Sequence, residues 1–360
     1  GTGKSTVAKI LDIIKAGANS VCGELFLSKN GVQISDETEK NKYKNEEFSE
    51  LFLELLNKYD LKNYLNKDSF ILFESAICKI VIENNSIQFQ EKKKFTEENS
   101  SKEKNTNVNY YIPAYREAFI LLRNNYPAIL NAKANLPVIL NAFGQHFNNF
   151  RENIKHFNFK KIIGVEYNYS NGRDFIILKD GKEISFEESS SAINSVVPML
   201  VVFLGIVSSM SEDSQRVYYN ANCPFITIEE PELNCFPSTQ NELIKCLIEK
   251  IKFKDYQKSK EYYCNLLITT HSPYILSSLN NLMYAFVVGK NHSEEIGKIV
   301  EERYWINPDD VSAYMLLPNG ECVSILDKEG LIKTEKIDGV SGILNKEFNE
   351  MFDIELAIKK

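Results

Sequence analysis

The run Phe225-Ile226-Thr227-Ile228, followed at once by Glu229-Glu230-Pro231-Glu232, constrains this chain more than any other feature. A short stretch of apolar and β-branched residues reads as a strand buried on both faces, the pattern of a parallel sheet. Carboxylates at the C-terminal end of such a strand are costly to desolvate unless a cation or a reacting water uses them, and ligands bind at that edge of open α/β sheets. On this reading Glu229 holds a metal ion through water and Glu230 orients an attacking water. The same acids also fit a solvated turn before a helix starting near Ser238, whose positive end they would favour.

A second apolar run, Asn265 to Thr269, leads directly into Thr270-His271-Ser272-Pro273. With a helix between them, the two strands are expected to be parallel neighbours, which would stand His271 beside the acids, able to touch a terminal phosphate. Without that constellation, His271 is an ordinary surface or core histidine.

The third piece is Gly1-Thr2-Gly3-Lys4-Ser5-Thr6. Gly3, Lys4 and Ser5 match the second half of G-x-x-x-x-G-K-[ST], in which backbone N–H groups wrap phosphate oxygens and the lysine bridges the terminal phosphates. The Ser5 hydroxyl would sit on Mg²⁺. Val7, Ile10, Leu11 and Ile14 give the apolar stripe of a helix whose N-terminus faces the phosphates. The pattern's first glycine and the strand before it are expected upstream of Gly1. A flexible Gly/Ser/Thr tail is the competing reading.

Composition adds exclusions. A length of 360 residues with 43% hydrophobic and 25% charged residues is that of a globular chain with a buried core. No apolar run is expected to reach membrane-spanning length, Val196 to Ser208 being the longest considered, so the chain reads as soluble. The cysteines (Cys22, Cys78, Cys223, Cys235, Cys246, Cys264, Cys322) are scattered with no C-x-x-C pair, which fits reduced thiols in the cytoplasm. The net charge of −7 offers nucleic acid no global attraction, so such a contact would need a local patch.

Phe225 to Gln240 and Leu266 to Leu276 (LLITTHSPYIL) together resemble the ABC-type ATPase heads of the overcoming-lysogenization-defect (OLD) and RecF-like group, which commonly carry Glu-Glu-Pro-Glu at this strand. The resemblance covers residues 1 to 15 and most of 110 to 290. It implies an α/β fold, with a mainly parallel core sheet flanked by helices, an antiparallel β-subdomain and a helical insertion. It also implies ATP and Mg²⁺, cytoplasmic location, a head-to-head homodimer, and a separate effector protein, a nuclease or toxin, of the kind found in anti-phage defence. The family's signature segment is best matched by Ser189-Ser190-Ser191-Ala192-Ile193-Asn194, with Ser190 and Ser191 meeting the partner's nucleotide; Ala192 stands where glycine is usual. A serine-rich cap of a core helix is the local alternative. Tyr110 to Arg116 resembles the strand-plus-arginine segment before the family's insertion, and Arg116 could reach a phosphate or an acid across the dimer; otherwise it is a surface arginine at a helix start.

Four segments are expected: 1–115, phosphate-loop helix and β-subdomain; 116–200, helical insertion and signature; 201–290, the strand acids and histidine; 291–360, a small closing element. Phe70–Leu72 and Ile80–Phe89 are β-prone, and Glu91 to Asn107 reads as a surface loop. Lys250, Lys252, Lys254, Lys258 and Lys260 form a solvated loop or a nucleic-acid patch, and Lys92, Lys93 and Lys94 offer a weaker one. After His271 no D-x-D occurs, so the metal pair of a Toprim nuclease is not expected. Asp309-Asp310 and Leu317-Pro318-Asn319-Gly320 suggest a β-rich element, then a helix ending near Leu356. Two further functions stay open: a RecF- or SMC-like DNA-binding ATPase, and a nucleotide-binding scaffold with weak hydrolysis.

Overall fold

The computed structural model describes residues 4–23, 48–57, 61, 70–74, 78–83, 86–91, 109–123, 136–212, 224–255, 260–317, 319, 321–333 and 339–358. The chain is mixed α/β, and its contacts divide it into two compact units, one of Gly3–Leu233 with Ile251–Thr269 and one of Asn234–Lys250 with Thr270–Lys360. Both units are discontinuous, so this division cuts across the four consecutive segments read from the sequence.

The first unit is organised by helix α1 (Lys4–Gly23) and a three-stranded parallel sheet. Strand β9 (Phe225–Glu229) lies in the middle, between β4 (Asn109–Ile112) and β12 (Asn265–Thr269). Its register pairs Glu229 with Thr269 and Ile228 with Ile112. The run at 225–228 is thus the strand buried on both faces that it resembled, since Ile226 and Ile228 on one face and Thr227 on the other are fully buried.

Helix α1 packs against β4, β9 and β12. The expected stripe is met in part: Ile14 is fully buried and Ile10 packs against the core, but Val7 is 41% exposed and Ala8, Asp12 and Ile13 complete the buried face instead. Ala8 meets Tyr111 and Ile139, and its small side chain lets the helix lie close to the sheet. Ile13 and Ile14 join Phe48, Phe52 and Leu56 of helix α2 (residues 48–57) and Ile80, Ile82 and Phe89 in a second core. Burying each such isoleucine contributes about 1.5–3 kcal/mol. Those sheet residues belong to a meander of β1 (Phe70–Glu74), β2 (Cys78–Glu83) and β3 (Ser86–Glu91), the expected antiparallel subdomain. Glu91 closes β3, whereas 92–107 and the lysines within it lie outside the described residues.

The expected helical insertion is partly β. Short helix α3 (Glu117–Leu122) and α4 (Val138–Asn153) are present, but β5 (His156–Asn158), β6 (Glu166–Ser170), β7 (Arg173–Ile177) and β8 (Glu183–Ser185) follow as a four-stranded antiparallel sheet. A buried charge network joins this sheet to the helices. Asp174 accepts from Arg123, from Arg151 (2.6 Å) and from the Tyr167 hydroxyl, and Arg123 also bonds Glu187. Burial, and then the Asp174 charge, push the Tyr167 phenol well above its ordinary pKa. Asp174→Asn leaves two guanidinium groups short of charge in the interior and is expected to destabilise the fold by about 3–5 kcal/mol. Chemical denaturation reads this directly, and a loss below ~1 kcal/mol would show the network to be dispensable.

Helix α5 (Ser191–Glu212) packs on α3 and α4. A Cβ on Gly205 would lie 2.2 Å from the Phe150 ring, so glycine is what permits the α4–α5 approach. The expectation that no segment reaches membrane length is corrected here. Ser191–Ser209 is long and apolar enough by length and composition, and 67% of it is buried inside the protein, as in a core helix. The lysine-rich segment is not a plain loop either, since β10 (Lys252–Asp255) and β11 (Lys260–Tyr263) pair as a hairpin. Lys258 lies outside the described residues.

The second unit packs α6 (Pro237–Lys250) against α7 (Pro273–Gly289). Helix α8 (Ser293–Ile299) follows, and Trp305 closes on Gly289 while its ring N–H donates to the Val300 carbonyl at 2.7 Å. The closing element is the hairpin β13 (Tyr314–Leu316) and β14 (Cys322–Ser324), then helix α9 (Gly339–Ile358). Among the described residues Cys235, Cys246, Cys264 and Cys322 are not joined in disulfides.

Candidate functional site

Lys4 opens α1, and Ser5 and Thr6 complete its first residues; all three are half-buried. Gly1, Thr2 and Gly3 lie outside the described residues. Burial holds the Lys4 ammonium below its ordinary pKa, and the carboxylates of Glu232 and Glu230 pull it part of the way back. Lys4 therefore shares one electrostatic environment with two of the strand acids, although more than 220 positions separate them in the chain.

Glu229 is only 1% exposed at the end of β9. Its Oε1 accepts from the Tyr111 hydroxyl at 2.6 Å and its Oε2 from the Ala114 amide at 3.0 Å. Both donors come from β4 and the turn after it, so the neighbouring parallel strand fixes the carboxylate. Two donors leave part of the carboxylate's lone-pair capacity for a cation's water shell. Tyr111 is locked in its neutral, donating form: burial first, then the Glu229 charge, raise its phenol pKa far above the usual value.

Glu230 has φ +43, a left-handed backbone that a glutamate adopts only when its surroundings impose it. Its N–H donates to the Thr269 carbonyl at 2.8 Å, and its own carbonyl accepts from Leu233 N at 3.1 Å, closing the turn Glu230–Leu233. The Glu-Glu-Pro-Glu segment is thus a clamped turn leaving the buried strand, with Pro231 buried within it.

Arg116 takes a different role from a phosphate ligand. It is fully buried, and its five N–H groups are all engaged: Nε with Ser195 O (2.9 Å), Nη1 with Pro113 O (3.0 Å) and Glu229 O (2.8 Å), Nη2 with Ser195 Oγ (3.0 Å) and Glu230 O (2.9 Å). A guanidinium has no sixth donor, so the reading of Arg116 as a nucleotide contact or a surface arginine is corrected.

Ser190 and Ser191 are exposed at the start of α5. Ser190 Oγ accepts from Ile193 N at 3.4 Å, as an N-cap does, while Asn194 Nδ2 donates to Ser189 O at 3.2 Å and ties the loop to the first turn. His271 belongs to the other unit, exposed in the link between β12 and α7. Thr270 Oγ1 accepts from Ser272 N at 2.9 Å across it, and buried Ser272 caps α7 through Tyr274 N (3.1 Å) and donates to Gln240 (2.5 Å). The residues on both sides of His271 are therefore pinned.

Sequence reasoning missed Tyr111, the Ala114 amide and Ser195 as parts of the site. The Tyr110–Arg116 segment stands out in the sequence, but placing Tyr111 and Ala114 on Glu229 needs the pairing of Tyr111-Ile112 with Thr227-Ile228, which depends on the strand order. No protein-family model matches the chain, and no curated protein matches it.

Proposed function

We propose that the protein is an ABC-type ATPase, which binds and hydrolyses ATP and whose nucleotide-dependent dimerisation controls a separate effector protein in the cytoplasm. The observation that carries this reading is the clamped left-handed Glu230 at the end of a buried parallel strand, in the same electrostatic environment as Lys4. Backbone strain of this kind costs about 1–3 kcal/mol and persists where function requires the geometry. The resemblance of the strand and histidine motifs to OLD and RecF-like heads supports the same reading.

The donor set fits Mg²⁺. Hydroxyl and carboxylate oxygens are its preferred ligands, and it keeps several waters, so Ser5 and Glu229 suffice where, among the described residues, no three His, Cys, Asp or Glu side chains group together. When bound, the ion would neutralise charge developing on the phosphates. Lys4 supplies a point charge to the terminal phosphates, and the first N–H groups of α1 face them. Glu229, held by Tyr111 and Ala114, anchors the ion's water shell. Glu230 accepts a hydrogen bond from the attacking water and orients it. The motif resemblance assigns His271 to the γ-phosphate, and Ser190 and Ser191, at the open end of α5, to the nucleotide of a second copy.

The expected result is steady phosphate release from ATP by the full-length protein, together with a shift from monomer to dimer on nucleotide binding. Native mass spectrometry of the protein isolated from its host reads the dimer, the nucleotide and the effector together. Neither turnover nor nucleotide binding in the intact protein would sink the proposal.

A further inference from the structure

We infer that Arg116 is a positioning residue, holding the Glu230 backbone in its left-handed conformation and tying that corner to the first turns of α5; the inference rests on the ATPase reading above. Successive carbonyls of an extended strand point to opposite sides. Those of Glu229 and Glu230 nevertheless both meet one guanidinium, at 2.8 and 2.9 Å, because the chain leaves strand geometry at Glu230 with φ +43. Of the three remaining donors, one reaches the Pro113 carbonyl and two reach the carbonyl and the hydroxyl of Ser195, which is fully buried on α5 shortly after Ser190 and Ser191.

One rigid planar fork therefore ties together three segments, the turn at Pro113, the Glu229–Glu230 corner and α5. Its acceptors are peptide carbonyls and a hydroxyl, so the geometry of the fork counts for more than its charge. Lysine, with three donors on a flexible stem, cannot make the same five bonds. The Glu230 carboxylate depends on this corner for its aim, and a displacement of the exposed α5 N-terminus passes through Ser195 and Arg116 to Glu230. Arg116 acts through Glu230 and does not touch nucleotide.

The test uses full-length protein, with phosphate release for kcat and titration with a fluorescent ATP analogue for affinity. Ser195→Ala removes one acceptor of Nη2 and keeps the backbone carbonyl. It is expected to lower kcat about tenfold, and Arg116→Lys about a hundredfold, with nucleotide affinity unchanged in both. Because the two residues act as one unit, the double variant should be no slower than Arg116→Lys alone. A kcat for Ser195→Ala within about twofold of wild type, or effects that multiply in the double variant, would overturn the inference. So would a fall in affinity matching the fall in kcat, which marks loss of binding rather than of positioning. Should Arg116→Lys fail to fold by circular dichroism, the Ser195→Ala arm decides alone. Absence of turnover in the wild-type protein would overturn the ATPase reading instead.

Discussion

Lys4→Ala in the full-length protein is expected to abolish ATP turnover, a fall of about a thousandfold or more, with the fold intact. Alanine is the best helix former, so α1 keeps its first turn, and the buried face at Ala8, Ile13 and Ile14 is untouched. The loss is electrostatic. Lys4 carries the positive charge that Glu230 and Glu232 feel, and without it their carboxylates face the nucleotide's phosphates unopposed. A pH profile gives a second readout. Burial disfavours the charged ammonium, so raising the pH discharges Lys4 before an ordinary lysine would lose its proton. The alkaline limb of kcat/KM should therefore fall below the ordinary lysine range of about 10.4. Wild-type turnover in Lys4→Ala would remove Lys4 from the site.

What could be read from the sequence divides along physical lines. Strand β9 was legible because a strand buried on both faces is a continuous apolar run, and the acids following it had no cheap structural explanation, whereas half-buried β12 was legible as a short apolar run leading into Thr270-His271. The exact face of α1 was not legible. Periodicity weights large apolar residues such as Val7, whereas the sheet accepts small Ala8 and the polar Asp12. The four-stranded sheet was hidden by its own chemistry: Glu166–Ser170 and Arg173–Ile177 mix polar and apolar residues because one inward position carries Asp174, neutralised by two arginines. Its turns were nonetheless written out. Asn171-Gly172 and Asp180-Gly181 are hairpin dipeptides, and Asn171, Gly172 and Gly181 have φ of 50, 75 and 83. Arg116 was illegible for a different reason. Its partners are carbonyls of distant segments, and main-chain acceptors leave no trace in residue identity.

Glu230→Gln is expected to separate binding from hydrolysis. The amide is nearly isosteric with the carboxylate, and the clamps on residue 230, from Thr269, Leu233 and Arg116, are made by its backbone, so the left-handed turn should survive. The lost element is an anionic acceptor for the attacking water, and removing a positioned general base slows catalysis about 10²–10⁴-fold. Removing the negative charge also relieves repulsion with the phosphates, so nucleotide affinity should hold or rise. With ATP bound and not turned over, the protein should accumulate as an ATP-loaded dimer, read as a doubled mass by sedimentation, while Lys4→Ala stays monomeric under the same conditions. The contrast carries the argument. Lys4 and Glu230 share one environment, so a site assembled for structure alone would respond to either change in the same way, through stability. A site that binds a phosphate with one residue and aims a water with the other must respond in opposite directions on the monomer–dimer balance. Full turnover in Glu230→Gln would transfer the water-orienting role away from this strand corner and leave its backbone strain without a function.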